Sequence, residues 1–327
     1  MAAGDRGGDV AALFDRARAG DRGALARLLS FVERGGDAAR SVAATAFGAA
    51  GAATTVGITG APGAGKSTLT SALCRTMRAD GHDIGVLAID PSSPFTGGAI
   101  LGDRVRMGEH VLDDGVFIRS MATRGHLGGL AVATPEAARV LDAVGYRWVL
   151  VETVGVGQVE VEVVAAADTT VVVVNPGWGD AVQANKAGLM EIADVFVVNK
   201  ADRPGAAETR HDLEAMLSMG SGRSWAPPVI ETVAATGQGV PELWSALGRH
   251  REYLVESGEL ERRRGRRADE ELRNVVVARL VERAQALCDG PAWESARERL
   301  ASRLADPWQV ADDLLAGSGG ADEVTSP

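Results

Sequence analysis

Short apolar runs rich in β-branched residues recur along the middle of the chain, at Thr54–Thr59, Ile84–Asp90, Val116–Met121, Trp148–Glu152, Thr169–Asn175, Val195–Asn199 and Val229–Val233. Runs such as Thr169–Val174 lack polar alternation, the pattern of a strand buried on both faces. Helical patterns separate these runs, so the sequence predicts an α/β fold with a mainly parallel central sheet flanked by helices. Before the first run, Val10, Leu13, Leu25, Leu28, Leu29 and Val32 recur at helical spacing, interrupted near Gly20. After Pro241 the strand signals stop, and helices are predicted over Leu243–Leu260, Ala268–Leu287 and Trp293–Leu315. The pattern divides the chain into an N-terminal helical extension (1–50), the α/β domain (51–260) and a C-terminal helical arm with a frayed tail (261–327).

Composition narrows the function classes. The 327 residues, 46% hydrophobic and 24% charged, suffice for one large core with helical additions. A net charge of −10 argues against a general nucleic-acid binder, which needs a basic face to displace counterions. Glu261–Arg267 holds five arginines, and a solvated, salt-bridged helix or hinge explains them better than an RNA patch. No apolar stretch approaches membrane-span length, and the acidic, Gly-rich start is unlike a signal peptide, so the expected location is the cytoplasm. Cys74 and Cys288 lie far apart, and His82, His110, His126, His211 and His250 show no ligand spacing, so neither a disulfide nor a transition-metal site is expected.

Gly60-Ala61-Pro62-Gly63-Ala64-Gly65-Lys66-Ser67 matches G-x-x-x-x-G-K-[ST] between a predicted strand and a predicted helix. In that setting the glycines turn backbone N–H groups toward phosphate oxygens and the helix N-terminus adds positive potential. Lys66 then reaches the β- and γ-phosphates, Ser67 offers its hydroxyl to Mg²⁺, and Thr68 continues the phosphate-facing turn. Asn199-Lys200-Ala201-Asp202 closes the strand Val195–Val198 and fits N-K-x-D, the guanine reader. Asp202 would accept from the ring N1–H and the exocyclic amine, with the Lys200 stem over the base. Adenine offers no such donor pair, and an unpaired buried carboxylate costs roughly 2–5 kcal/mol, so GTP is preferred over ATP.

Carboxylates at strand ends supply the hard oxygens that phosphate-bound Mg²⁺ needs. Asp90 ends one strand and Asp103 follows in the next loop. Glu152 ends the apolar strand Trp148–Glu152, and Glu152-Thr153-Val154-Gly155 fits the acid-x-x-Gly switch pattern in which the Gly155 N–H senses the γ-phosphate. Gln158 is a candidate for orienting the attacking water, with a structural or partner-facing role equally open. Pro91–Gly98, Thr123–Gly129, Gly155–Gln158 and Pro176–Asp180 are candidate switch loops, and Arg104, Arg106 and Arg124 lie in them or beside them without an assignable arginine finger.

Together these segments, with Ala88–Pro94, Gly98–Met107, Arg119–Leu130, Val151–Gln158, Gly179–Asp202 and Gly237–Trp244, closely resemble the methylmalonyl-CoA mutase-associated GTPases, MeaB, also called ArgK or LAO/AO transport system ATPase. The resemblance covers about Leu25 to Arg263. It implies a P-loop NTPase of the SIMIBI class, signal-recognition-particle-like, with a C-terminal arm that forms a homodimer. It also implies a GTP hydrolase acting as chaperone for an adenosylcobalamin-dependent methylmalonyl-CoA mutase, in cofactor loading, protection and reactivation. Carried onto this chain, it assigns nucleotide contacts to Gly60–Thr68, Asn199–Asp202 and the Ala234, Ala235 and Thr236 backbone, metal and switch acids to Asp90, Asp103 and Glu152, and partner signalling to Lys186. Two departures stand out: Val233-Ala234 replaces the usual Ser-Ala, and Trp178 occupies a position where smaller residues are common. The competing readings are an ATP-driven transport or kinase component and a nickel-insertion GTPase. The guanine reader opposes the first, and the lack of clustered Cys and His opposes the second.

Overall fold

The seven expected strands form one parallel sheet in the order β3-β2-β4-β1-β5-β6-β7: β1 Thr54–Gly60, β2 Ile84–Pro91, β3 Val116–Thr123, β4 Trp148–Thr153, β5 Thr169–Val174, β6 Val195–Asn199 and β7 Val229–Thr232. The computed structural model describes residues 4–91, 108–110, 112–123, 129–153, 167–177, 191–219 and 224–318. Asp103, Arg104, Arg106, Arg124, Gly155, Gln158, Trp178 and Lys186 lie outside the described residues, and Asp90 is described only as backbone.

Strand alternation sorts side chains to two faces. Leu87, Ile89, Phe117, Met121, Val149 and Val151 point to one face, where they meet helices α1 (Gly4–Arg18), α2 (Arg22–Arg34) and α3 (Gly36–Ala49) and a later helix, α5 (Gly129–Val144). Val56, Ile58, Val86, Leu150, Val171, Val173, Val195 and Val197 point to the other, under α4 (Lys66–Ala79) and α7 (Val240–Glu256). Helix α6 (Ala206–Met219) covers Val172, Val174, Phe196 and Val198. Both faces are therefore dry, which is why the strand sequences carry no polar alternation.

Helix α2 shows how the N-terminal elements form. The Gly23 and Ala24 N–H groups donate to the Asp21 carboxylate at 2.9 and 3.0 Å, and Gly35 ends the helix at φ 72°. Ala24, Leu25, Leu28, Leu29 and Val32 share its buried face, and each fully buried leucine contributes roughly 2 kcal/mol. The third helix, α3, lies within the expected N-terminal helical extension although its apolar stripe is faint: it is Ala-rich and presents only Ala39, Val42 and Ala46 to the core. Contacts divide the chain into Met1–Ala268 and Asp269–Pro327, so the N-terminal helices belong to the same compact unit as the sheet.

The C-terminal helices break where the backbone turns left-handed. Helix α8 (Glu259–Leu287) begins just after Gly258 at φ 67°, and the predicted Trp293–Leu315 helix is two, α9 (Pro291–Ala301) and α10 (Pro307–Ser318), separated by Arg303 at φ 55°. Among the described residues no helix is long and apolar enough to cross a membrane.

The arginine run is helical and salt-bridged as expected, but three of its members are half-buried against the α/β domain. Arg263 donates to both carboxylate oxygens of Asp194 at 2.9 Å. Arg264 donates to Asp168 at 2.9 Å and to the Gly51 and Ala53 carbonyls at 2.8 and 2.7 Å, and Arg267 also pairs with Asp168. Both aspartates are buried at the N-terminal ends of β5 and β6, where Asp168 accepts the Thr55 N–H and Asp194 the Thr170 N–H. The run is an anchor under the sheet.

Burial opposes ionisation of Asp168, yet the Arg264 hydrogen bond and the charges of Arg267 and Arg264 outweigh it and hold the carboxyl below the ordinary aspartate range. A lowered folded-state value stabilises fully above the unfolded value of about 3.9, and the contribution is lost as pH falls through the folded value. Asp168→Asn is therefore expected to cost about 3–5 kcal/mol at neutral pH, because two guanidiniums lose their charged partner. The gap from wild type in urea unfolding should narrow on acidification below about pH 4. A gap that widens there would refute the ion-pair account.

Candidate nucleotide-binding site

Strand β1 runs directly into the phosphate loop, and β1 is flanked by β4 and β5, so the loop opens at the C-terminal edge of the sheet's centre. Open α/β sheets hold ligands at that edge, where the order of connections reverses. Two glycines are dictated by close approach. Gly60, at φ 135°, lies against β5 such that a Cβ would sit 1.9 Å from the Val173 carbonyl oxygen. Gly65, at φ 90°, caps α4, and a Cβ there would meet the Asn199 amide at 2.6 Å. The Ala61 N–H donates to the Val173 carbonyl at 3.2 Å and the Ala64 N–H to Ala61 at 3.2 Å, closing the turn. Pro62 and Gly63 are exposed at its crest.

Lys66 and Ser67 open helix α4 and are buried, while Thr68 is exposed. The Lys66 ammonium donates to the Gly60 and Ala61 carbonyls at 2.8 and 3.2 Å, which holds its charge at the mouth of the loop. The positive end of α4 adds to that charge, so the loop favours an anion. The Ser67 hydroxyl donates to Glu152 Oε1 at 2.5 Å. Glu152 is buried at the end of β4, paired in register with Ile58 of β1 and Ala88 of β2. Asp90 lies one residue past the Ile89–Thr153 pair on β2, so its backbone reaches the same edge. A hydroxyl and a carboxylate converging beside a phosphate loop form a donor set that fits a hard divalent cation.

The Asn199–Asp202 turn meets the phosphate loop from the β6 side. Asn199, buried, donates its amide to the Ala64 carbonyl at 2.7 Å and accepts from Thr232 Oγ1 at 3.0 Å and from the Ala234 N–H at 3.1 Å. Its side chain ties three loops together, which sequence reasoning had treated only as a base contact. Lys200, at φ 61°, donates to the Gly63 carbonyl at 2.6 Å, so its stem crosses over the loop. Asp202 is exposed on the same turn. On the loop after β7, the Ala234 N–H is used by Asn199 and the Thr236 N–H by Val233. Ala235 is exposed, and its N–H is the one on that turn with no protein acceptor among the described residues.

Thr232 is the functional residue that sequence reasoning missed. It lies opposite Asn199 in the β6–β7 register, a pairing that only the sheet order creates. Gly155, Gln158 and Asp103 lie outside the described residues, and Ser67 and Glu152 are the described members of the candidate metal donor set.

Known proteins match along most of the chain. The chain is 50% identical to a putative GTPase of Pyrococcus abyssi over 93% of its own length and 95% of that protein's. It is 37% identical to the GTPase ArgK of Escherichia coli, covering 79% and 81% of the two chains. The crystal structure of an LAO/AO transport system kinase superposes with a TM-score of 0.67 at 26% identity, covering 95% of this chain and 97% of that one. The model of the family described as methylmalonyl-CoA mutase-associated GTPase MeaB matches residues 25–289. With a phosphate loop, a guanine-type turn and a parallel sheet arranged as such relatives require, the chain is a P-loop GTP hydrolase and belongs to the MeaB family.

Proposed function

We propose that this GTPase uses Mg²⁺ and serves an adenosylcobalamin-dependent acyl-CoA mutase, methylmalonyl-CoA mutase first, as a chaperone for cofactor loading and reactivation. The observation that carries the reading is the family match over residues 25–289, whose description names the mutase. The site supports the nucleotide half. Gly60–Thr68 cradles the phosphates, and Lys66 neutralises charge that grows on the transferred phosphoryl group. Ser67 and Glu152, with Asp90 and Asp103, would hold the metal ion, which when bound would polarise the phosphate oxygens. Asp202 reads the guanine edge, the Ala235 amide faces its carbonyl, and Lys200 packs over the ring.

A homodimer is part of the proposal. Within residues 269–327, Leu272, Val276 and Leu280 recur every fourth residue on α8 and are exposed, and Trp308 of α10 is 83% exposed. Apolar stripes of this kind are expected to be covered by another chain.

The name of the superposed structure keeps a transport-linked kinase in view. The Asn199–Asp202 turn argues against ATP as its nucleotide, since Asp202 has no matching donors on adenine.

Mixing the protein with its own organism's mutase should accelerate GTP hydrolysis, and Lys186→Ala should diminish the acceleration more than the basal rate. Such a split is what a segment passing nucleotide state to a docked protein produces. Equal single-turnover rates with and without the mutase would remove the chaperone reading and leave the GTPase.

A further inference from the structure

Helix α4 carries a second set of contacts on the face that presents Ser67. Ser67, Ser71 and Arg78 stand at i, i+4 and i+11, so they share one side of the helix, with Ser71 about 6 Å along the axis from Ser67. The chain returning from β2 toward β3 docks on that side at two points. His110, buried, places Nε2 at 3.0 Å from both the hydroxyl and the main-chain carbonyl oxygen of Ser71. A carbonyl only accepts, so Nε2 carries the proton and the ring donates into the helix. Three residues on, Asp113 takes the Arg78 guanidinium on both carboxylate oxygens at 3.1 and 3.0 Å, and its N–H closes a turn onto the His110 carbonyl at 3.2 Å. The Arg78 hydrogen bond holds the Asp113 carboxyl below its ordinary range, so the lower point is an ion pair.

The two points differ in what they reach. Asp113 grips the far end of α4, where the helix has left the nucleotide edge. His110 seats one turn from Ser67, whose hydroxyl bonds to Glu152. The connection between β2 and β3 thus starts at the Asp90 edge of the sheet and, at His110, meets the helix face one turn from the proposed metal donors before it reaches β3.

We propose that His110 is a positioning residue for metal-dependent GTP hydrolysis: its bond into Ser71 fixes where the β2–β3 connection rejoins the phosphate-loop helix, and so the geometry around Ser67 and Glu152. This rests on the reading that Ser67 and Glu152 hold the nucleotide's Mg²⁺. A buried histidine serving stability alone would affect melting temperature without changing the response to metal.

The test uses the full-length protein, single-turnover GTP hydrolysis across a Mg²⁺ titration, and GDP affinity in EDTA. His110→Met fills the same space without a donor, and it should raise the half-saturating Mg²⁺ concentration roughly tenfold, since small misplacements of this kind cost that much or more. GDP affinity in EDTA should stay within about twofold, because neither His110 nor Ser71 is among the proposed base and phosphate contacts. His110→Gln, whose amide still donates to the Ser71 carbonyl, should recover most of the loss, and Ser71→Ala should give a smaller shift of the same sign. A wild-type Mg²⁺ requirement in His110→Met, equal losses with and without metal, or a Gln variant no better than Met would each overturn the proposal. Glu152→Gln separates the two claims. If it leaves the Mg²⁺ requirement unchanged while His110→Met raises it, Glu152 is not a metal donor and the positioning role stands through Ser67 alone; the reverse result overturns the role of His110.

Discussion

Replacing Lys66 with alanine is expected to slow GTP hydrolysis by roughly a thousandfold or more, the scale of loss when a preorganised charge facing a developing anion is removed. The lysine's place supports so large an effect. Its ammonium is held by the Gly60 and Ala61 carbonyls at the mouth of the loop, so it needs little reorganisation to meet a phosphate. Among the described residues no neighbour substitutes for it: Lys200 is committed to the Gly63 carbonyl on the crest of the loop. Because Lys66 is also bonded to its own loop, the variant should lose some stability in the nucleotide-free protein, and far more in activity. Single-turnover hydrolysis at saturating GTP measures it, and wild-type turnover would remove the phosphate-loop assignment.

Asp202→Asn is expected to weaken GTP binding by roughly 2–4 kcal/mol, the cost of losing a charged acceptor and facing donors with an amide. Xanthosine triphosphate should gain, because an amide N–H meets the carbonyl that xanthine carries in place of guanine's amine. The exposed position of Asp202 makes the substitution safe for the fold. It also confines the effect to the base, since the loops are held by Asn199 and not by Asp202. Binding isotherms for the two nucleotides decide it: equal losses for both would show that this turn does not read the base edge.

The contrast between Asp202 and Asn199 shows how far a motif carries. Both belong to one four-residue pattern, and sequence reasoning assigned both to guanine. In the folded chain Asn199 bonds to Ala64, 135 residues away, and to Thr232 and Ala234, 33 and 35 residues away. A buried amide must satisfy its hydrogen bonds with whatever the fold brings near it. Here the fold brings two loops, and the same residue braces them. The Val233-Ala234 departure is explained in the same terms. The Ala234 N–H is the group that Asn199 engages, and a backbone donor does not depend on the side chain at position 233.

Local chemistry determined the strands, the phosphate loop and the guanine turn. Runs such as Thr169–Val174 are apolar on both sides because the sheet is covered on both faces, and that requirement is written into consecutive residues. Gly60, Gly65, Lys66 and Ser67 act through spacing along a single loop, which a linear pattern preserves. Tertiary structure alone decided the order β3-β2-β4-β1-β5-β6-β7, and with it every pairing across strands. The order placed Glu152 against Ser67, Thr232 against Asn199 and His110 against Ser71. It also turned an arginine run that reads as solvated into an anchor on Asp168 and Asp194. The physical reason is the same in each case. A charge or hydrogen-bonding group is satisfied by its neighbour in space, and sequence records only its neighbour along the chain.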